Sequence, residues 1–138
     1  MRRYRGRVSG PLLDRIDLTV RVPAPSYDEL NGPPSAPTSA ATRAHIVEAR
    51  VRQRLRFGDD ETTTNAVMDE AQLERWCALD GDAAALLKRA MDRFKLSARA
   101  HARILKVSRT IADLAAQDRI DLTHVAEAIQ LRCWEEPS

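Results

Sequence analysis

The sequence predicts a mainly α-helical domain of five helices, entered through one short strand and a proline-rich connection. Three observations carry this. After residue 42 the apolar residues recur at helical spacing in five successive stretches. Residues 16–22 instead alternate apolar and polar. Between the two lies a run of prolines and small polar residues with no period at all.

The strand reading rests on Ile16, Leu18, Val20 and Val22, two apart and closed by Pro23. One strand is unstable alone, because its edges and apolar face need neighbours. The sequence offers no second convincing strand, so residues 1–23 are expected to order only against partners from elsewhere. Pro23 to Thr42 holds five of the seven prolines and reads as a linker. The first helix is expected over residues 42–57, with Val47, Val51 and Leu55 four apart. A short second helix, 70–79, carries Leu73, Trp76 and Cys77, and a third, 82–94, buries Leu87, Met91 and Phe94. The fourth and longest runs from Ser97 to about Gln117, and the fifth, 123–132, shows Val125, Ala128, Ile129 and Arg132. Helices of this length with short connections pack as one compact helical domain.

Size and composition set the bounds. A chain of 138 residues holds one domain, or a small domain plus a piece of another. It can bury roughly two thirds of its unfolded surface, enough for one core. No apolar run approaches the ~20 residues of a membrane span. The basic start, Met1-Arg2-Arg3-Tyr4-Arg5, is followed by no apolar stretch and is not a secretory signal. Cys77 and Cys133 fit a reduced, cytoplasmic protein better than a disulfide scaffold. Twenty-two basic residues against 20 acidic ones leave a net charge of +2, too mild to define a nucleic-acid partner.

The fourth helix is the most informative segment. Ser97 is a good N-cap, able to satisfy a backbone N–H of the first turn. Ala100, Ile104, Val107, Ile111 and Leu114 form an apolar stripe expected in the core. Arg99, Arg103 and Lys106 fall on a second stripe, and Lys95 and Arg99 crowd the helix start. There the macrodipole disfavours cations by ~0.3–1 kcal/mol each. Two readings stay open: solvated surface arginines, or a helix end shaped for an anion, since free N–H groups and guanidinium both favour phosphate. The turn Ser9-Gly10-Pro11 and the following Leu12-Leu13-Asp14-Arg15-Ile16-Asp17 place a lone arginine between two carboxylates. This is either a structural ion pair at a strand start or an arginine held where a partner's phosphate arrives.

Other motifs carry less. Ala66-Val67-Met68-Asp69-Glu70 superficially matches a strand ending in a magnesium-holding Asp-Glu, but reads better as the acidic start of a helix. The pairs His45/Glu48 and His124/Glu127 each lack a third ligand, and Asp28 and Glu29 have no partner histidine or cysteine, so no metal site is expected. Cys77 and Cys133 read as packing residues. No Gly-x-x-x-x-Gly-Lys-Ser/Thr loop occurs, so this chain lacks the usual triphosphate cradle.

Two long segments nonetheless have a family resemblance. Tyr4-Arg5-Gly6-Arg7-Val8-Ser9-Gly10-Pro11-Leu12-Leu13-Asp14-Arg15-Ile16-Asp17 and its following strand resemble the end of the ATPase core of the magnesium-chelatase-like AAA+ family. Leu96-Ser97-Ala98-Arg99-Ala100-His101-Ala102-Arg103, continuing to Leu114, and Glu127-Ala128-Ile129-Gln130-Leu131-Arg132 are similar to its C-terminal lid, most of all in the bacterial ComM/YifB subgroup linked to natural transformation and DNA branch migration. The resemblance implies that residues 1–23 end the ATPase core, 24–42 form a linker, 43–134 form the lid and 135–138 a tail. It implies that Arg15 is an arginine finger acting in trans, an effect worth ~10³–10⁵ in rate in such enzymes. Arg99 takes the place of the sensor-2 arginine, with Arg103 in support; Arg50 matches a family pattern without an assigned role. ATP and Mg²⁺ belong to the full-length parent, and neither is expected to bind tightly to this chain. The nucleotide loop, the magnesium-holding Asp-Glu and the sensor-1 asparagine belong before residue 1, so the chain is expected not to hydrolyse ATP by itself. The implied partners are the N-terminal ATPase core, neighbouring subunits of a hexameric ring, and DNA. A stand-alone helical regulatory or DNA-binding module, motivated by the basic faces Arg43-Arg50-Arg54 and Arg99-Arg103-Lys106, is the alternative; a metal-chelatase motor subunit is the third.

Overall fold

A computed structural model describes residues 15–33, 36–58 and 64–132. Most of the Tyr4–Asp17 motif, Cys133 and the 135–138 tail lie outside the described residues. Among the described residues there are six α-helices: α1 (Tyr27–Asn31), α2 (Ser39–Phe57), α3 (Glu70–Trp76), α4 (Gly81–Phe94), α5 (Ala98–Leu114) and α6 (Leu122–Arg132), with a 3-10 turn at Asn65–Val67. The last five helices are the five expected. The one-turn α1 was not; it sits in the proline-rich connection, closed by Asn31 Nδ2 donating to the Tyr27 carbonyl at 2.8 Å.

The helix ends follow from side-chain chemistry. Thr38 starts α2 three residues earlier than expected, its hydroxyl accepting from Ala41 N–H at 3.2 Å. Gly58, at φ 90, takes the left-handed conformation that closes α2, donating to the Arg54 carbonyl at 2.7 Å. Asp69 and Gln72 form a reciprocal capping box on α3, at 2.8 and 3.0 Å, so Asp69-Glu70 is a helix start as its acidic character implies. Asp80 caps α4 through Ala83 N–H, and Ser97 caps α5 through Ala100 N–H at 3.2 Å. The predicted run of α5 to Gln117 is cut short: Ala116 turns left-handed at φ 57, and Gln117 N–H bonds back to the Ala112 carbonyl. At the head of α6, Asp121 accepts from the N–H groups of Thr123 and His124, and its own N–H donates to His124 Nδ1 at 3.1 Å. That ring nitrogen accepts, so the His124 side chain helps to cap the helix. The hydroxyl of Thr123, followed by the His124 amide, lowers the Asp121 carboxyl below its usual range.

α5 is the central helix, packing against α6, α2, α3 and the 3-10 turn, while α4 closes on α6. The core contains Leu87, Ile104, Leu105, Ile120, Val125 and Ile129, with Ala83, Ala112 and Ala128 almost fully buried where helices approach closely. Leu79 and Ile120 make an isolated parallel bridge that ties the two interhelical turns together. Cys77 belongs to this core, and burial pushes its thiol up to about 11.

No strand forms among the described residues: 16–22 is extended but has no ladder, because no neighbouring strand is there to pair with. The apolar stripe of α2 faces outward. Val47, Val51 and Leu55 are 52%, 39% and 82% exposed, whereas Ala49 and Gln53, on the opposite side of the helix, are buried.

The inversion has an electrostatic cause. Asp113 of α5, 2% exposed, accepts from both terminal nitrogens of Arg56, from Asn65 Nδ2 at 2.8 Å and from Arg109 Nε at 3.2 Å. Arg109 spends its remaining donors on the carbonyls of Asp118 and Gln117, at 2.8 and 2.6 Å. Burial by itself raises the Asp113 carboxyl, but the Arg56 and Asn65 hydrogen bonds and the two guanidinium charges outweigh it and hold it below the usual range. Burial lowers the Arg109 guanidinium, partly offset by Asp113. α2 must turn Arg56 inward to complete this network, and its apolar stripe is carried to the other side.

Candidate functional site

Ser97 fixes the start of α5, so its first turn presents backbone N–H groups at the positive end of the helix dipole. Arg99 lies in that turn and is exposed. The expected partner in this crowding, Lys95, belongs instead to the end of α4. It adopts the left-handed conformation (φ 51) and donates its N–H to the Met91 carbonyl, a position where a cation complements the dipole. The adverse placement is thus confined to Arg99.

Arg103, one turn further along, is half-buried and makes an ion pair with Asp17 at 2.9 Å. Lys106 donates to the Ala66 carbonyl at 3.0 Å. Asp17 belongs to the extended segment that follows Arg15, itself exposed in a turn. The segment is held at two further points, both on the end of α6. Arg132 Nη1 donates to the Ile16 carbonyl at 2.6 Å, and Thr19 donates to the Leu131 carbonyl through its N–H at 2.6 Å and its hydroxyl at 3.1 Å. The structure therefore links Arg15 to the helix that carries Arg99 and Arg103, with Asp17 as the joint.

Beneath this joint is a cleft of about 510 Å³, walled by Leu18, Val107, Ile111, Leu114 and Leu131, with Arg103 and Lys106 on its lining. Val107 and Ile111 pack on the edge of the core, and Leu114 is 46% exposed. The stripe read as core is thus partly a cleft wall. The angular spread shows why: Val107, Ile111 and Leu114 are centred some 90° round the helix from Ile104, Ser108 and Ala112, by about 100° per residue. The Asp17–Arg103 and Arg132–Ile16 ties, over a hundred positions apart in the second case, left no trace in local sequence patterns.

The chemistry available is that of guanidinium toward oxyanions, bidentate and always charged. Among the described residues no group of three or more His, Cys, Asp or Glu is placed to hold a metal ion. Arg15 and Arg99 are both exposed and carry this chemistry. No helix of the described residues is long and apolar enough to cross a membrane.

The fold and site together define a helical domain that presents arginines at one helix start and on a tethered extended segment. Residues 36–132 match the family model for the C-terminal part of magnesium chelatase subunit ChlI, and residues 1–30 match the model for magnesium chelatase subunit ChlI. The chain belongs to the magnesium chelatase ChlI family. It is 41% identical over 131 residues to the competence protein ComM of Haemophilus influenzae, covering 94% of this chain and 25% of that protein. It is 37% identical over 131 residues to the uncharacterized protein YifB of Escherichia coli, with the same coverage. An uncharacterized protein of Mycobacterium tuberculosis is 34% identical over 134 residues, covering 95% of this chain and 26% of the relative. The chain therefore spans about a quarter of the length of these relatives.

Proposed function

We propose that this chain is the lid-bearing part of an AAA+ ATPase ring that remodels DNA, as the similarity to a competence protein over nearly its whole length supports. In this reading residues 1–23 end the ATPase core, 24–42 link it to the lid, and 43–134 are the lid. Arg15 reaches the ATP of a neighbouring subunit in a hexamer. Arg99 reads the γ-phosphate within its own subunit, with Arg103 behind it. The observation that carries the reading is the exposed Arg99 at a capped helix start, where an anion relieves the conflict between cation and dipole.

ATP with Mg²⁺, supplied in the full-length protein, brings the phosphoryl group to be transferred. This chain's residues would spread positive charge over its oxygens as the transition state forms. No base or nucleophile is assigned to the chain.

The test is ATP turnover of the full-length parent with Arg15→Ala and with Arg99→Ala. Arg15→Ala is expected to lower kcat by ~10³-fold or more while ATP binding survives. Wild-type turnover in both variants overturns the proposal. A second reading, a helical regulatory or DNA-binding module, draws on the exposed Arg43, Arg50 and Arg54 of α2. It requires a DNA mobility shift by this chain that weakens steeply with salt, because phosphate contacts release counterions.

A further inference from the structure

We infer that Asp17 is a positioning residue: its ion pair with Arg103 couples Arg15 to the α5 helix, so that a movement of α5 is delivered to Arg15. The inference rests on the reading of Arg15 and Arg99 as phosphate contacts, and deepens it by naming the connection between them.

The geometry of the segment carries the argument. Residues 16–22 have no ladder of their own, and Ile16, Val20 and Val22 are 40%, 70% and 87% exposed. What fixes the segment is the short stretch from Ile16 to Thr19, which receives one bond from Arg132, gives two to Leu131 and pairs with Arg103. Arg132 and Leu131 tie it to the end of α6, a helix already packed in the core. Asp17 is the polar tie to α5. The pair is neither fully wet nor fully buried, at 22% side-chain exposure for Arg103 and 55% for Asp17. It is thus strong enough to hold a direction and reversible enough to re-form when the helices shift.

Lever lengths are short on both sides. Arg99 precedes Arg103 by one turn, about 6 Å along the axis. Arg15 precedes Asp17 by two residues, about 7 Å of extended chain. A shift of α5 together with α6 is thus carried to Arg15 through both sets of ties, and a misplacement of about 1 Å at a reacting group costs up to ~10²-fold in rate. With Asp17 removed, the segment keeps only its ties to the end of α6, and the Thr19–Leu131 bonds open more often.

The test is a charge-swap cycle read in two ways. In the full-length parent, Asp17→Asn is expected to lower kcat for ATP roughly tenfold with KM within about twofold; the charge swap Asp17→Arg with Arg103→Asp is read in the isolated chain, because Arg103 also stands behind Arg99. In the 138-residue chain, hydrogen exchange at the Thr19 amide is expected to speed up in Asp17→Asn and to slow again in the swap. Unchanged kcat in Asp17→Asn, or a swap no better than the single variants, overturns the coupling. A Thr19 amide that exchanges as in wild type overturns it even if the parent variants fail to assemble. Wild-type turnover in Arg15→Ala and Arg99→Ala overturns the underlying reading instead, whatever Asp17 does.

Discussion

α2 and α5 are the two longest helices, 19 and 17 residues, both rich in arginine, and they bury opposite kinds of surface. α5 turns Ala100, Ile104, Leu105 and Ala112 inward as its periodicity requires. α2 turns Ala49, Gln53 and Arg56 toward the domain and leaves Val47, Val51 and Leu55 outside. A hydrophobic stripe tells which face of a helix is fit to be covered, and the partner across the interface decides which face is covered. Asp113 of α5 is buried and demands cations, so α2 presents Arg56 there at the expense of its valines.

The largest effect should come from breaking that demand. Asp113→Ala leaves Arg56 and Arg109 with buried charge and no carboxylate, a loss of about 3–5 kcal/mol in urea unfolding. The pH dependence has a definite sign. The folded Asp113 carboxyl lies below its ordinary value of 3.8, so its stabilisation is complete above that value and is lost as pH falls through the lower folded one. Asp113→Asn keeps the shape and removes the titration. The stability gap between it and wild type should therefore narrow as pH drops below about 4. A gap that stays constant from pH 7 to pH 2 would assign the effect to packing.

Next in size is the apolar side of α5. Ile104, at 1% exposure, has no room to collapse gracefully, and Ile104→Ala should cost about 2–5 kcal/mol by the same measurement. A cost below 1.5 kcal/mol would mean that α5 is held by its polar network more than by its core.

The same contrast explains what was legible in the sequence. Helix existence was, because it is written in local spacing and in caps such as Ser97 and Asp69, whose bonds span three residues. The buried side of α5 was half legible: Ala100 and Ile104 are core, but Leu114 is on a cleft, since a stripe wider than the contact has an outer edge. Arg99 was legible as a cation at an unfavourable helix end, though Lys95 was not, because the left-handed turn that returns it to α4 leaves no compositional mark. The buried network was not legible. Arg109 and Asp113 are four apart, a spacing that surface pairs share, and only the fold brings Arg56 and Asn65 to them. The Asp17–Arg103 tie joins residues 86 positions apart in sequence, beyond any local rule.

The smallest effect is the one that sharpens the comparison most. Val51 repeats every sequence feature of a core residue, yet it is 39% exposed and lies on the far side of α2 from Asp113. Val51→Ser in the isolated chain should therefore change stability by no more than about 0.5 kcal/mol, in the range of ordinary surface substitutions. A larger cost that also depends on protein concentration goes beyond the cover the chain itself gives this side chain, since a valine stabilises by leaving water. The Val47–Val51–Leu55 stripe would then be covered in solution by another molecule of the chain, and the midpoint of unfolding would rise with protein concentration. A small, concentration-independent change places the stripe in water, with the side that carries Ala49, Gln53, Arg56 and Phe57 as the contribution of α2 to the domain.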